Sequence, residues 1–322
     1  MTVADSGVAP VLLSEQTLRV KADATPLERQ RKRLFWPFVA PALAIYAIFM
    51  LAPTIGSLWI SLTEWRAQGD PMRFVGLKNY ALIVTNSLSQ RALVNTIGIL
   101  LIAGLGIFIL AFAITIFMRE MRFRNTVRSL LFFPYLITPV AIGIVLGLVL
   151  DPNGILNSIL SKVGLSKLTA QWLDLGHIYW SLLTTIVWVT TGFYVILLAS
   201  GMDRIPRDYY EACELAGANL WQKFRYVTLP MSWDIVTIAA ILWVINSFKI
   251  FELILAFGTL GSSVLPAQVQ NLSTDQYYLT VGGRYPTYAM GQGSAVGIVM
   301  LILVGVCVVL IRRFMRRDRI EF

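Results

Sequence analysis

The chain has 322 residues, of which 57% are hydrophobic and only 14% charged, with a mean hydropathy of +0.68. Soluble domains carry roughly 25% charged residues, so this composition excludes a soluble globular fold and implies an integral membrane protein. The net charge of +9 does not indicate nucleic acid as a partner, because the basic residues are grouped beside long apolar runs.

The first 33 residues are polar and include acids, and they are expected to form a disordered cytoplasmic arm that ends in Arg29, Arg31, Lys32 and Arg33. Six apolar runs follow, at 36–61, 94–118, 129–150, 178–200, 235–257 and 289–311. Each is near or above the ~20 residues that a bilayer requires. The expected fold is therefore all-α, with six transmembrane helices over 34–313 and a basic tail at 314–322. Of the 27 Lys and Arg, nineteen fall before the first run, at 119–128, at 204–225 and at 312–319, while seven lie on the alternate connections and Lys249 within a run. Positive residues stay inside, so both termini are expected in the cytoplasm.

Pro41 and Pro53 are expected to kink the first run. Gly98, Gly104 and Gly106 in the second offer close approach to another helix. The third contains Pro134 and Pro139 and ends in the turn sequence Asp151-Pro152-Asn153-Gly154. The fourth carries Trp188, Thr190, Thr191, Gly192 and Tyr194. Its threonines either bond back to their own helix or line a translocation path.

Residues 203–231 break the apolar pattern, with Asp203, Arg204, Arg207, Asp208, Glu211, Glu214, Lys223 and Arg225 in one stretch. Pro206 suits a first helical position, and Asp208 and Glu211 suit the first turn. Gly217 suits a C-terminal stop, and Asn219 with Gln222 a capping box. Pro230 closes the unit, so a helix, a glycine turn and a second helix are expected at the membrane surface.

In the fifth run Asn246, Lys249 and Glu252 follow one another at steps of three, one step after Trp243. On a single helix the three polar residues occupy an arc of about 120°. Charges inside a membrane are costly and usually face a protein interior or a wet cavity. The alternatives are a substrate path, a Lys249–Glu252 pair of purely structural role, or two charges that snorkel outward near the outer end of the run. The connection at 258–288, rich in Gly and Tyr, is long enough to dock a partner.

Neither Cys213 nor Cys307 can reach the other, and His177 is the sole histidine, so no disulfide or metal site is expected. There is no G-x-x-x-x-G-K-[ST] sequence to cradle a nucleotide and no Ser/His/Asp set, so the chain is not expected to be an enzyme.

The spacing Glu211-Ala212-Cys213, Gly217, Val227, Leu229-Pro230 resembles the EAA loop of permease subunits in binding-protein-dependent ABC importers, with Cys213 and Val227 replacing the family's Ala and Ile. Phe74 to Tyr80 (FVGLKNY), Asn95-Thr96, and Gly154 with Asn157 are similar to what sugar-type permeases carry at the same places. The resemblance implies that Tyr210, Glu211, Ala212, Gly217, Ala218, Arg225, Leu229 and Pro230 couple to an ATPase. It implies as partners a second homologous permease, an ATPase dimer that uses ATP and Mg, and an extracytoplasmic solute-binding protein, in a bacterial or archaeal cytoplasmic membrane, with no cofactor bound by this chain. The substrate would be a sugar, oligosaccharide, polyol or glycerol phosphodiester, met by Trp188, Tyr194, Trp243, Asn246, Lys249 and Glu252. The competing reading is a secondary transporter or channel subunit without an ATPase.

Overall fold

The computed structural model describes residues 26–66, 69–119, 121–260, 264–282 and 287–316. Residues 1–25 of the expected arm and 317–322 of the tail lie outside the described residues. Helix α1 (Pro26–Tyr46) begins within the stretch expected to be an arm and continues through a π turn, Ala47–Leu51, into α2 (Ala52–Ile60). The π turn ends just ahead of Pro53, which has no N–H to give the helical ladder, and Phe35–Ile60 remains one apolar helix of 26 residues. The chain divides into two compact units after Thr54, and the second holds all remaining elements.

In that unit, β1 (Thr63–Glu64) pairs antiparallel with β2 (Arg73–Phe74), followed by α3 (Lys78–Thr85) and α4 (Ser87–Gly98). Helix α4 runs through a π turn, Ile99–Ala103, into α5 (Gly104–Arg119), giving a continuous apolar helix of 33 residues. Next come α6 (Arg124–Leu136), α7 (Pro139–Val149), the short α8 (Ile155–Lys162) and the unbroken α9 (Ile178–Met202). Helices α10 (Arg207–Leu215), α11 (Leu220–Lys223) and α12 (Leu229–Met231) lead to α13 (Trp233–Lys249), α14 (Glu252–Gly258), α15 (Leu272–Thr280) and α16 (Met290–Phe314). Among the described residues four helices are long and apolar enough to cross a membrane, and up to six spans result if each of two bent pairs, α6 with α7 and Leu220–Met231 with α13, counts as one.

The third expected run is not one helix. Helices α6 and α7 meet at 95°, because Pro139 holds Thr138 extended (ψ 137°) and cannot donate to the ladder. The fifth run also differs from expectation, as α13 ends at Lys249, Ile250 is extended (ψ 107°) and α14 starts afresh at Glu252. Lys249 and Glu252 therefore sit on different helices, and the single-helix arc does not exist. No Gly or Pro marks this second break. Its freed carbonyls are taken by distant residues: Asn271 Nδ2 donates to Ile250 O at 2.7 Å, and Ser273 Oγ to Phe248 O.

The second halves of the two broken helices pack on each other. A Cβ on Gly143 would lie 2.8 Å from Ala256 Cβ and 3.0 Å from Leu253 O, so only glycine allows α7 and α14 this approach. At Gly192, a Cβ would lie 1.9 Å from Leu131 O, which sets the crossing of α6 on α9. Gly104 instead receives a side chain, Trp243, whose indole N–H donates to Leu100 O at 2.8 Å within the π turn of the second helix. Around these contacts Ile99, Ile107, Leu182, Ile186, Leu198, Ile254 and Phe257 form the core.

The connection between α14 and α16 is tied to α4. Asn95 Nδ2 lies within hydrogen-bond reach of the carbonyls of Ala267, Gln268 and Gln270, and Thr96 Oγ1 accepts from Leu272 N at 2.9 Å. On α15, Asp275 is 6% exposed and its Oδ2 has no partner among the described residues. Burial raises its pKa above the ordinary 3.8, against a smaller opposing effect of a hydrogen bond from Ser89. Between 3.8 and the raised folded value the folded chain holds more protons than the unfolded one, so this group lowers stability as pH rises through that window. Melting temperatures of the detergent-solubilised protein should fall with rising pH across it. Asp275→Asn should flatten that part of the curve; parallel curves for the two proteins would show that Asp275 does not titrate there.

Candidate functional site

Both helix breaks open onto one cavity of about 550 Å³. Tyr135, Ile137 and Pro139 line it from the α6–α7 break, and Ile250, Phe251, Glu252 and Leu253 from the α13–α14 break. Ile186, Val189, Thr190 and Tyr194 of α9, with Trp243, Asn246 and Lys249 of α13, complete the walls. Interrupted helices of this kind are tolerated inside a membrane where the irregular backbone is buried in protein or lines a cavity.

Five of the six sequence-expected path residues thus meet in one place: Tyr194, Trp243, Asn246, Lys249 and Glu252. Trp188 does not. It belongs to a separate groove on another face of α9, with Trp172, His177 and Trp180. Two residues along a helix turn it by about 200°, so Trp188 and Thr190 face different ways. In a helix that is apolar almost all round, composition gives no clue to the inner face. Sequence reasoning missed Tyr135 and Ile137, although Pro134 and Pro139 marked the stretch as irregular.

Aromatic rings form one wall. Tyr194 meets Trp243 edge-on (centroids 6.1 Å, 81°), and Tyr135 stacks on Phe193 (4.9 Å, 22°). Trp243 is 3% exposed and its N–H is already bonded, so it shapes the wall and does not donate into it. The Tyr194 hydroxyl lies against Asn246 without completing a hydrogen bond of full geometry. Thr190 and Thr191 both bond back to their own helix, to Ile186 O and Val187 O at 2.6 Å, as the first alternative for this helix held. Thr190 also lines the cavity, where its oxygen keeps a free acceptor position. Lys249 and Glu252 are exposed at the cavity and make no ion pair with each other. The purely structural pair considered from sequence is therefore absent, and the cavity presents a cation, an anion and an amide to whatever enters it.

The charged stretch forms a second candidate site. Helix α10 ends in a Schellman motif, with Gly217 at φ 72°, Ala218 N bonded to Cys213 O and Gly217 N to Glu214 O, both at 2.9 Å. Asn219 and Gln222 form the expected capping box at the start of α11. Pro206 is the N-cap of α10 and not its first helical residue, and only Asp208 lies in the first turn. Pro230 sits inside the last helical turn, and the 77° bend follows at Ser232.

The two helices of this loop are fastened to each other by Glu214 to Lys223 (2.7 Å) and by Tyr210 Oη to Thr228 Oγ1 (3.0 Å). They are fastened to the bundle by the Arg119 guanidinium, 3.5 Å above the Tyr210 ring, while Asp203 at the end of α9 takes Arg128 (2.9 Å) and Arg124 (3.8 Å). Of the residues expected to couple, Glu211, Ala212, Gly217 and Arg225 are exposed, whereas Tyr210, Ala218, Leu229 and Pro230 are half-buried. Leu215, which the motif does not single out, projects from the loop at 92% exposure. No group of His, Cys, Asp and Glu able to hold a metal occurs among the described residues.

The family model described as "Binding-protein-dependent transport system inner membrane component" matches residues 103–320. The osmoprotective compounds uptake permease protein GgtC of Synechocystis sp. is 25% identical over 296 residues, covering 88% of this chain and all of the relative. The alpha-glucoside transport system permease protein AglF of Rhizobium meliloti is 28% identical over 282 residues, covering 84% of this chain and 78% of AglF. A crystal structure of a bacterial alginate ABC transporter, in complex with an alginate pentasaccharide-bound periplasmic protein, shares the fold at a TM-score of 0.71 and 22% identity, covering 90% of this chain and 96% of the other. With the family model spanning more than half of its length, the chain belongs to the inner membrane components of binding-protein-dependent transport systems.

Proposed function

We infer that this permease subunit carries a sugar or related polyhydroxylated solute across a bacterial or archaeal cytoplasmic membrane by alternating access, driven by ATP that a separate subunit hydrolyses. The observation that carries the reading is the cavity at the two helix breaks. The exposed ring of Tyr135 suits the apolar face of a sugar ring, and Asn246, Lys249 and Glu252 offer both donors and acceptors to hydroxyls. Opposite charges close together favour a neutral ligand with many hydroxyls over a singly charged one. The names of AglF and of the alginate transporter support a saccharide. That of GgtC names osmoprotective compounds.

The partners follow from the same reading: a second permease, an ATPase dimer using ATP and Mg, and an extracytoplasmic solute-binding protein. The exposed side of the loop at 203–231, with Glu211, Ala212, Leu215 and Arg225, meets the ATPase. Its buried side, with Tyr210 and Thr228, passes the movement to the bundle. ATPase closure can bias the permease only through contacts that differ between its two states. The chain itself catalyses nothing in this scheme.

Six spans with both termini inside are the corresponding topology. In a Cys213→Ser, Cys307→Ser background, Ser87→Cys and Ser263→Cys should react with an impermeant thiol reagent added to cells, and Ser6→Cys and Glu321→Cys only after permeabilisation. Labelling of Glu321→Cys in intact cells would reverse the assignment of inside and outside.

A Cβ at Gly217 would meet nothing within 4 Å, so the requirement for glycine there is one of backbone conformation alone. Holding valine at positive φ costs about 1–2 kcal/mol. Gly217→Val should insert normally yet lose most solute-linked ATP turnover when co-expressed with its partners. Full turnover in that variant would disconnect the loop from coupling.

At the cavity, Lys249→Ala removes a charged hydrogen-bond donor worth about 1.5–3 kcal/mol. It should raise the apparent KM for uptake roughly ten-fold or more while basal ATP hydrolysis persists. If Lys249→Ala and Glu252→Ala each leave KM unchanged, neither residue touches the solute.

A further inference from the structure

We propose that the chain binds an anionic phospholipid between its coupling loop and the end of α5, with the phosphate at Arg119 and an acyl chain in the adjoining apolar groove. The site consists of two hollows that share a wall. The first, about 480 Å³, is polar and is walled by Arg119, Arg124 and Asp203 at the helix ends and by Arg207, Tyr210 and Lys223 of the loop. The second, also about 480 Å³, is almost wholly apolar and is lined by Phe108, Phe112, Phe117 and Trp221 among others. Ile116, Leu220 and Phe224 belong to both, so a molecule with a charged head and an apolar tail can occupy the two at once.

The charges of the polar hollow are unevenly satisfied. Asp203 is answered by Arg124 and Arg128, and Glu214 by Lys223. Arg119 has only the Tyr210 ring beneath it, and its Nη1, buried from solvent, has no acceptor among the described residues. A buried guanidinium N–H without an acceptor is costly, and a phosphate oxygen is the acceptor whose geometry fits the guanidinium fork. Arg207 adds a second cation on the exposed rim that has no ion pair among the described residues, and of the acids of the hollow Glu211 alone has none among them.

Location selects the source of the phosphate. Arg119 ends one apolar helix of 33 residues, and Arg124 opens the next helix. Both therefore lie at the depth of a leaflet's headgroups, where basic pockets between helices collect anionic lipid. Tyr210 supports Arg119 from below and also bonds Thr228, so a bound headgroup bears on the contacts that fasten the loop to the bundle. The proposal rests on membership of a membrane-transport family and not on the solute assigned to the central cavity, and its test involves no solute.

The test is native mass spectrometry of the full-length chain in mild detergent, titrated with phosphatidylglycerol, with phosphatidylcholine of the same acyl chains, and with inorganic phosphate. Phosphatidylglycerol should bind at least ten-fold more tightly than phosphatidylcholine, and millimolar phosphate should not displace it. Arg119→Gln should abolish that ten-fold preference. Arg207→Gln, an exposed change that keeps the fold, should reduce it, and Ala113→Phe, which fills the groove, should weaken both lipids together. Equal binding of the two lipids to the unaltered chain would overturn the proposal, as would an undiminished preference in both arginine variants. Displacement by inorganic phosphate would overturn the lipid and assign the site to a soluble anion.

Discussion

A backbone carbonyl in an apolar medium has no water to fall back on, so every interruption of a helix inside a membrane must be met by another part of the protein. At its cavity this chain interrupts its helices at 137–138 and at 250–251, and the surrounding residues of the unit from Ile55 onward meet those breaks. Asn271 and Ser273 reach back to the carbonyls freed at the end of α13. Asn95, on a different helix, keeps the ribbon that carries them in place through the carbonyls of Ala267, Gln268 and Gln270. Glycines at 143 and 192 bring the shortened helices close enough to pack. The cavity is what remains where the regular ladder stops.

The two candidate sites differ in how they are held. The cavity owes its shape to helix breaks and aromatic packing, and its charged residues stand free of one another. The loop at 203–231 is held by capping, by ion pairs at Asp203 and Glu214 and by a ring under a guanidinium, all local to its own stretch and to neighbouring helix ends.

Much of this was legible in the sequence, for identifiable reasons. Capping residues act within a few positions of themselves, so Asn219, Gln222 and Gly217 announced the loop's two helices correctly. Polar residues within apolar runs are few, so Asn246, Lys249 and Glu252 stood out and do share a cavity. The break between Lys249 and Glu252 was invisible because its cause lies at Asn271 and Ser273, more than twenty residues away, and no proline or glycine marks it. Trp188 was misplaced because an almost uniformly apolar helix carries no sign of which face turns inward. Tyr135 was overlooked because the proline that exposes it, Pro139, reads equally well as a mild kink.

The tie from Asn95 has a mechanical meaning. The ribbon at 267–273 is bonded at one end to the helix that begins at Ser87 and at the other to the carbonyls of Phe248 and Ile250, the second of which borders the cavity. It is a short strap between a long strut and the hinge of a bent one. One residue of the cavity lining, Ile250, is thus held in place by a segment that itself forms no part of that lining.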